Sequence, residues 1–161
     1  MDFEAFRTLA EVSAGFTGFV GVILAIRSRT DPLARLQLIG FLLNSLGVVV
    51  FSLVPEMLVG FFGETTLNWR ALCLILGLYH LCIMINHVRT QRNLLAMSWF
   101  QKLITFLSLP VIALKLSVAV GFLQTYAANV FYLALLWHLW IAIYIFSQIL
   151  LLNVESEKGD A

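Results

Sequence analysis

Five stretches of this chain stay apolar long enough to be read as membrane-crossing helices. Crossing the hydrocarbon takes about 20 mostly apolar residues at about 1.5 Å of rise each. The predicted spans run from Ala5 to Ile26, Leu36 to Val54, Trp69 to Val88, Leu103 to Leu123 and Ala128 to Leu152. The first has a polar opening turn or two. The run Pro55-Glu56-Met57-Leu58-Val59-Gly60-Phe61-Phe62-Gly63 is too short to cross and is read as an interfacial or re-entrant turn. A kinked extension of the second helix is the alternative, since proline is tolerated in membrane helices.

The fold class is therefore all-α: an integral membrane bundle of five transmembrane helices over residues 1–154, with a short polar tail at 155–161. Basic residues orient it, because Lys and Arg are retained on the cytoplasmic side. Arg27, Arg29, Arg35, Arg89, Arg92, Lys102 and Lys158 fall on one side, and only Arg7 and Arg70 on the other. Five crossings with that bias put the N-terminus out and the C-terminus in. Trp69, Trp99 and Tyr126 fall near span ends, where amphipathic rings prefer to sit.

Composition strengthens the membrane reading. Hydrophobic residues make up 61% of the chain and charged residues 12%, where soluble domains carry about 25% charge. A net charge of +1 leaves no basic surface for nucleic acid. Cys73 and Cys82 lie nine residues apart in one span, on opposite helix faces, so they do not pair with each other. The N-terminal Asp2, Glu4, Arg7 and Glu11 do not resemble the basic start of a cleaved leader, so the first span is expected to be retained. The predicted outer side carries Asp2, Glu4, Glu11, Glu56 and Glu64 against two arginines, a balance that concentrates cations or follows from sorting of the basic residues inward. No internal repeat is evident, which weakens a self-contained alternating-access transporter.

Candidate chemistry lies in the hydrophilic side chains within the spans. Each costs about 2.5–3.5 kcal/mol in hydrocarbon by insertion scales if ionised, so it needs a partner, water or a guest. In the first span Glu4, Glu11, Gly18 and Ala25 recur every seven residues, with Arg7, Ala14 and Gly21 on the same stripe. This is either a close-packing face through Ala14 and Gly18 or Thr17 and Gly21, or a pore lining of Glu11, Thr17, Gly18 and Gly21 with Glu11 as an acidic ring. The second span sets Gly40, Asn44 and Gly47 on one face. In the third, Cys73, Gly77, His80, Met84 and His87 follow helical steps. The fifth contributes Trp137-His138-Leu139-Trp140, Tyr144 and Gln148, with His138 at the depth of His80.

Three readings of His80, His87, His138 and Asn44 stay open: a proton relay or gate, neutral groups bonded across helices, or axial haem ligation by His80 and His138. Lys115, inside the fourth span, lies at about the depth of Glu11, which suggests an intramembrane Glu11–Lys115 pair. Outward snorkelling is the alternative, and the pair competes with a strong acidic ring. Ala113, Ser117 and Gly121 make another small-residue seam. No phosphate loop, His-Glu-x-x-His, Cys-x-x-Cys or nucleophile–base pair is present, so enzymatic activity is not expected.

The stretch from Glu11 to Gly21, followed by a basic loop and a second span ending Leu53-Val54-Pro55, resembles small multi-pass bacterial inner-membrane proteins that carry no assigned function. The resemblance covers about the first third of the chain. It implies a bacterial inner (plasma) membrane and supplies no active site.

The function expected from these features is an oligomeric channel or channel-like pore, with cations favoured and protons included, lined by the small-residue face of the first helix. Its partners are the lipid bilayer, further copies of the chain and small cations. It needs no resident cofactor. The alternatives are an electron carrier holding haem b or a transition metal on His80 and His138, or a non-transporting accessory or lipid-binding subunit.

Overall fold

A computed structural model describes residues 3–27, 32–90 and 99–159, with side chains at 3–22, 37–90 and 99–150. The described residues form five α-helices and no strand: α1 (Glu4–Arg27), α2 (Pro32–Phe62), α3 (Thr66–Thr90), α4 (Trp99–Ala119) and α5 (Ala127–Gly159). Among the described residues four segments are long and apolar enough to cross a membrane: Gln37–Phe62, Thr66–Thr90, Trp99–Ala119 and Gln124–Leu150. The chain thus has the make-up of an integral membrane protein. The opening turns of α1 carry Glu4, Arg7 and Glu11.

The helix ends follow from local chemistry. Glu4 places an acid in the first turn of α1, at the positive end of the helix dipole. Thr65 caps α3 by accepting the Asn68 N–H at 3.3 Å on Oγ1, and Asn68 Nδ2 donates back to the Gly63 carbonyl at 2.8 Å. At the end of α4, the N–H of Gly121 reaches Val118 O at 3.0 Å and the N–H of Phe122 reaches Ser117 O at 2.8 Å. This is a Schellman closure with Gly121 at φ +102. Leu123 follows in the left-handed region at φ 57, and a short 3₁₀ turn, Gln124–Tyr126, leads into α5.

One expectation is corrected here. The run after Pro55 is not a re-entrant turn: α2 continues through it to Phe62, as the alternative reading had it. Pro55 costs an intrahelical hydrogen bond, a loss tolerated in membrane helices, and α2 runs on through Gly60 until the positive-φ Gly63 ends it. Pro110 is likewise carried inside α4.

The chain divides into two units. Unit 1 comprises residues up to Leu53 and from Leu135 onward, so it holds α1, the larger part of α2 and most of α5. Its buried Val20, Phe41, Ala142 and Ile149 pack with Phe16, Leu38, Leu42, Ile145 and Phe146. The Phe16 ring meets Phe41 and Phe146 edge-on, at centroid distances of 5.4 and 5.5 Å. Acyl chains are as apolar as leucine, so such a core holds in a bilayer through close van der Waals contact and ring geometry rather than through escape from water.

Unit 2 runs from Val54 to Ala134 and holds the end of α2, all of α3 and α4, and the start of α5. Arg70 near the start of α3 donates through Nε to the Ala119 carbonyl at the end of α4, 3.0 Å away. Ten residues further along α3, His80 meets the side chain of Lys115. The two helices therefore run antiparallel. Gly77 makes their close approach possible, since a Cβ there would stand 3.2 Å from Leu116 Cδ2 and 3.5 Å from Lys115 Cβ. Trp69 packs edge-on against Phe131 of α5 at 6.0 Å.

Candidate functional site: two buried histidine pairs

In unit 2 the most costly side chain of the chain is fully enclosed. Lys115 is 0% exposed, on the α4 stripe of Ile104, Ser108, Ile112 and Val118 that faces the unit's interior. Its Nζ lies 2.8 Å from His80 Nδ1 and 3.4 Å from the Leu76 carbonyl of α3. His80 is also buried, as are its α3 neighbours Cys73 and Gly77. Cys73 Sγ lies 3.8 Å from the Ala127 carbonyl of α5.

The contact constrains the protons. An ammonium donates and has no lone pair, so when Lys115 is protonated His80 must present Nδ1 as an acceptor and carry its proton on Nε2. The pair can pass a proton between two nitrogens, but it cannot hold an ammonium and an Nδ1–H at once.

The partner of Lys115 differs from the sequence expectation. The amine finds its described bonds within unit 2, on α3, whereas Glu11 has an exposed side chain on α1. The proposed outward snorkelling does not occur either, because the lysine is buried. Helical side chains lean toward the N-terminus of their own helix. On α4 that direction carries the amine away from the nearby helix end at Ala119 and toward the middle of α3.

Unit 1 holds the second pair. His138 Nδ1 lies 2.8 Å from Asn44 Oδ1, with both side chains buried. The amide is oriented by its other end, since Asn44 Nδ2 donates to the Gly40 carbonyl at 2.8 Å. His138 therefore donates through Nδ1, and the neutral ring keeps its lone pair on Nε2.

Beside this pair runs a seam of hydroxyls that the sequence reading missed. Ser13 Oγ donates across from α1 to the Ser45 carbonyl of α2 at 2.9 Å, and Ser45 Oγ donates to Phe41 O at 2.9 Å. Thr17 Oγ1 returns to Ser13 O at 2.6 Å. The available signal was Ser13 at four residues before Thr17 on an otherwise apolar face, a spacing that serine and threonine use to satisfy themselves on helix carbonyls.

The other candidate residues separate. The buried face of α1 is Phe6, Leu9, Ala10, Ser13, Thr17 and Val20, at three- and four-residue steps. Thr17 thus points into unit 1 and leaves the proposed pore lining. Glu11 and Gly18 are exposed and Gly21 is half-buried, and a Cβ at Gly15, Gly18 or Gly21 would meet nothing within 4 Å. His87, one heptad beyond His80, is half-buried in the last turn of α3. His80 and His138 each engage Nδ1 inside their own unit. Among the described residues no three His, Cys, Asp or Glu side chains group to hold a metal ion. No protein-family model, curated protein or solved structure matches this chain.

Proposed function

We propose that the protein is an oligomeric membrane channel or channel-like pore for small cations, protons included, assembled around the outward face of α1. One observation supports this reading above the others. Across α3, α4 and α5 the exposed positions are dominated by large apolar side chains such as Leu74, Ile75, Phe106, Leu114, Leu133 and Ile143, as acyl chains require. The exposed side of α1 carries Glu4, Arg7, Glu11, Ala14, Gly15 and Gly18 beside the apolar Val12, Phe19 and Val22. Charged and small residues on an outward helix face fit water or a second protein surface better than lipid.

In this reading α1 is a fifth crossing, the N-terminus is outside, the C-terminus is inside, and the host is a bacterial inner membrane. Glu11 supplies the negative field at the mouth and Gly18 leaves room for a hydrated ion. The test is flux from proteoliposomes loaded with a cation-sensitive or pH-sensitive dye. Wild-type protein is expected to dissipate a potassium or proton gradient, and Glu11→Gln to slow it several-fold without loss of folded protein. Wild-type vesicles as tight as empty ones under both gradients would remove the proposal.

A further inference from the structure

The end of unit 2 where α3 begins and α4 finishes holds two turns with their flanking helix ends, residues 61–67 around the Gly63–Thr65 connection and residues 120–126. Both lie at the end of the α3–α4 pair where Arg70 meets Ala119. Asn68 ties the first to α3 through Gly63 O, and Arg70 ties α3 to Ala119 O at the start of the second. A Cβ at Gly121 would stand 3.8 Å from Arg70 Cζ.

The connection Gly63-Glu64-Thr65 is polar, but the helix ends beside it and the second turn expose large apolar side chains. Phe61 is 78% exposed, Phe62 and Phe122 71%, and Leu67 and Val120 68%. Tyr126 is exposed as well. Glu64 is the only charged side chain in the two segments. The apolar surface is continuous with the spans, since Gln37–Phe62, Thr66–Thr90, Trp99–Ala119 and Gln124–Leu150 all begin or end at these turns. By contrast, the segment joining α1 to α2 holds both Arg29 and Asp31 in sequence.

We infer that the two turns are seated together in phospholipid, at the boundary between headgroups and acyl chains of one leaflet. The partner is the bilayer itself. Phe61, Phe62 and Phe122 meet the upper acyl region, while the Tyr126 hydroxyl and the Glu64 carboxylate reach the headgroups, the division of labour that amphipathic side chains make at a membrane surface. This end of unit 2 is then held at a set depth by aromatic side chains on both turns, rather than by salt bridges to lipid phosphate. The inference is independent of any transport activity.

The test is a spin label on each turn in the full chain, at Phe62→Cys and at Phe122→Cys, with Cys82→Ala to remove the exposed native thiol. Both positions are exposed, so neither substitution takes a side chain from the core. In phosphatidylcholine–phosphatidylglycerol vesicles, with reagents equilibrated across the membrane by freeze–thaw, both labels should collide with oxygen several-fold more than with a water-soluble nickel chelate. Leu78→Cys, exposed in mid-span, gives the acyl-chain reference. Chelate collisions at the level of a free aqueous nitroxide, at either turn, would overturn the inference. So would low collision with both reagents, the signature of cover by protein.

Discussion

Lys115 and His80 meet nitrogen to nitrogen at 2.8 Å, with both side chains buried. A lysine held this way in a membrane protein is balanced by an acceptor, not by an opposite charge. Removing the acceptor leaves the ammonium on the Leu76 carbonyl alone. His80→Ala is therefore expected to destabilise by about 1–3 kcal/mol, the usual cost of leaving a buried donor without its acceptor. Lys115→Met combined with His80→Leu should melt close to wild type in detergent, because the pair is replaced by apolar volume. A double-mutant cycle in which the two single costs simply add would refute the coupling.

The two histidines should carry opposite tautomers. With Lys115 protonated, neutral His80 bears its proton on Nε2, whereas His138, donating to Asn44 Oδ1, bears it on Nδ1. Nitrogen-15 solid-state spectra of histidine-labelled protein in lipid should resolve both forms. Asn44→Leu should shift the His138 signals while leaving those of His80 in place, and cost about 1 kcal/mol, in keeping with interhelical bonds measured in membranes. Nδ1–H tautomers at both sites would show instead that Lys115 is the neutral amine, accepting from His80.

Gly18 and Gly77 separate assembly from folding. A Cβ at Gly18 would meet nothing within 4 Å, while one at Gly77 would stand 3.2 Å from Leu116 Cδ2. Gly18→Leu should leave the melting temperature of the detergent-solubilised chain unchanged or raised and reduce both flux and cross-linked oligomer. Gly77→Leu should lower the melting temperature, with about 1–3 kcal/mol lost to overpacking of α3 against α4. Retention of oligomers in Gly18→Leu would place the contact between copies elsewhere.

Gly121 is the backbone counterpart of that test. At φ +102 an alanine is strained whatever surrounds it, and its Cβ would also stand 3.0 Å from Gln124 Nε2. Gly121→Ala is expected to cost about 1–3 kcal/mol by thermal melting. Adding Gln124→Ala relieves the contact but not the torsion, so it should restore only a small part. Full rescue would show that crowding rather than backbone conformation sets the requirement.

Much of the architecture was legible in the sequence because span length and apolarity are strong signals for α2 to α5. The end of α2 was harder, since Pro55 is a breaker in water and only a missing donor where neighbouring groups can compensate. The partner of Lys115 was missed for a geometric reason. Counting depth by Cα position puts Lys115 level with Glu11, but its side chain leans along α4 toward the N-terminal end and arrives at His80. Thr17 was misassigned because the seven-residue stripe through Glu11 and Gly18 was widened to include it. It belongs one helical step away, with Ser13 and Val20. The Asn44–His138 bond joins residues 94 apart, and the sequence marked both as polar groups in need of partners without matching them.

Leu123 adds a torsion that few non-glycine residues accept. A left-handed leucine holds about 1–2 kcal/mol of strain that glycine at the same place would not, offset in part by the freedom glycine loses on folding. Selection for heat resistance in micelles would therefore drift toward glycine at this position. The variant so obtained would look improved in the tube while giving up one exposed apolar side chain beside Phe122.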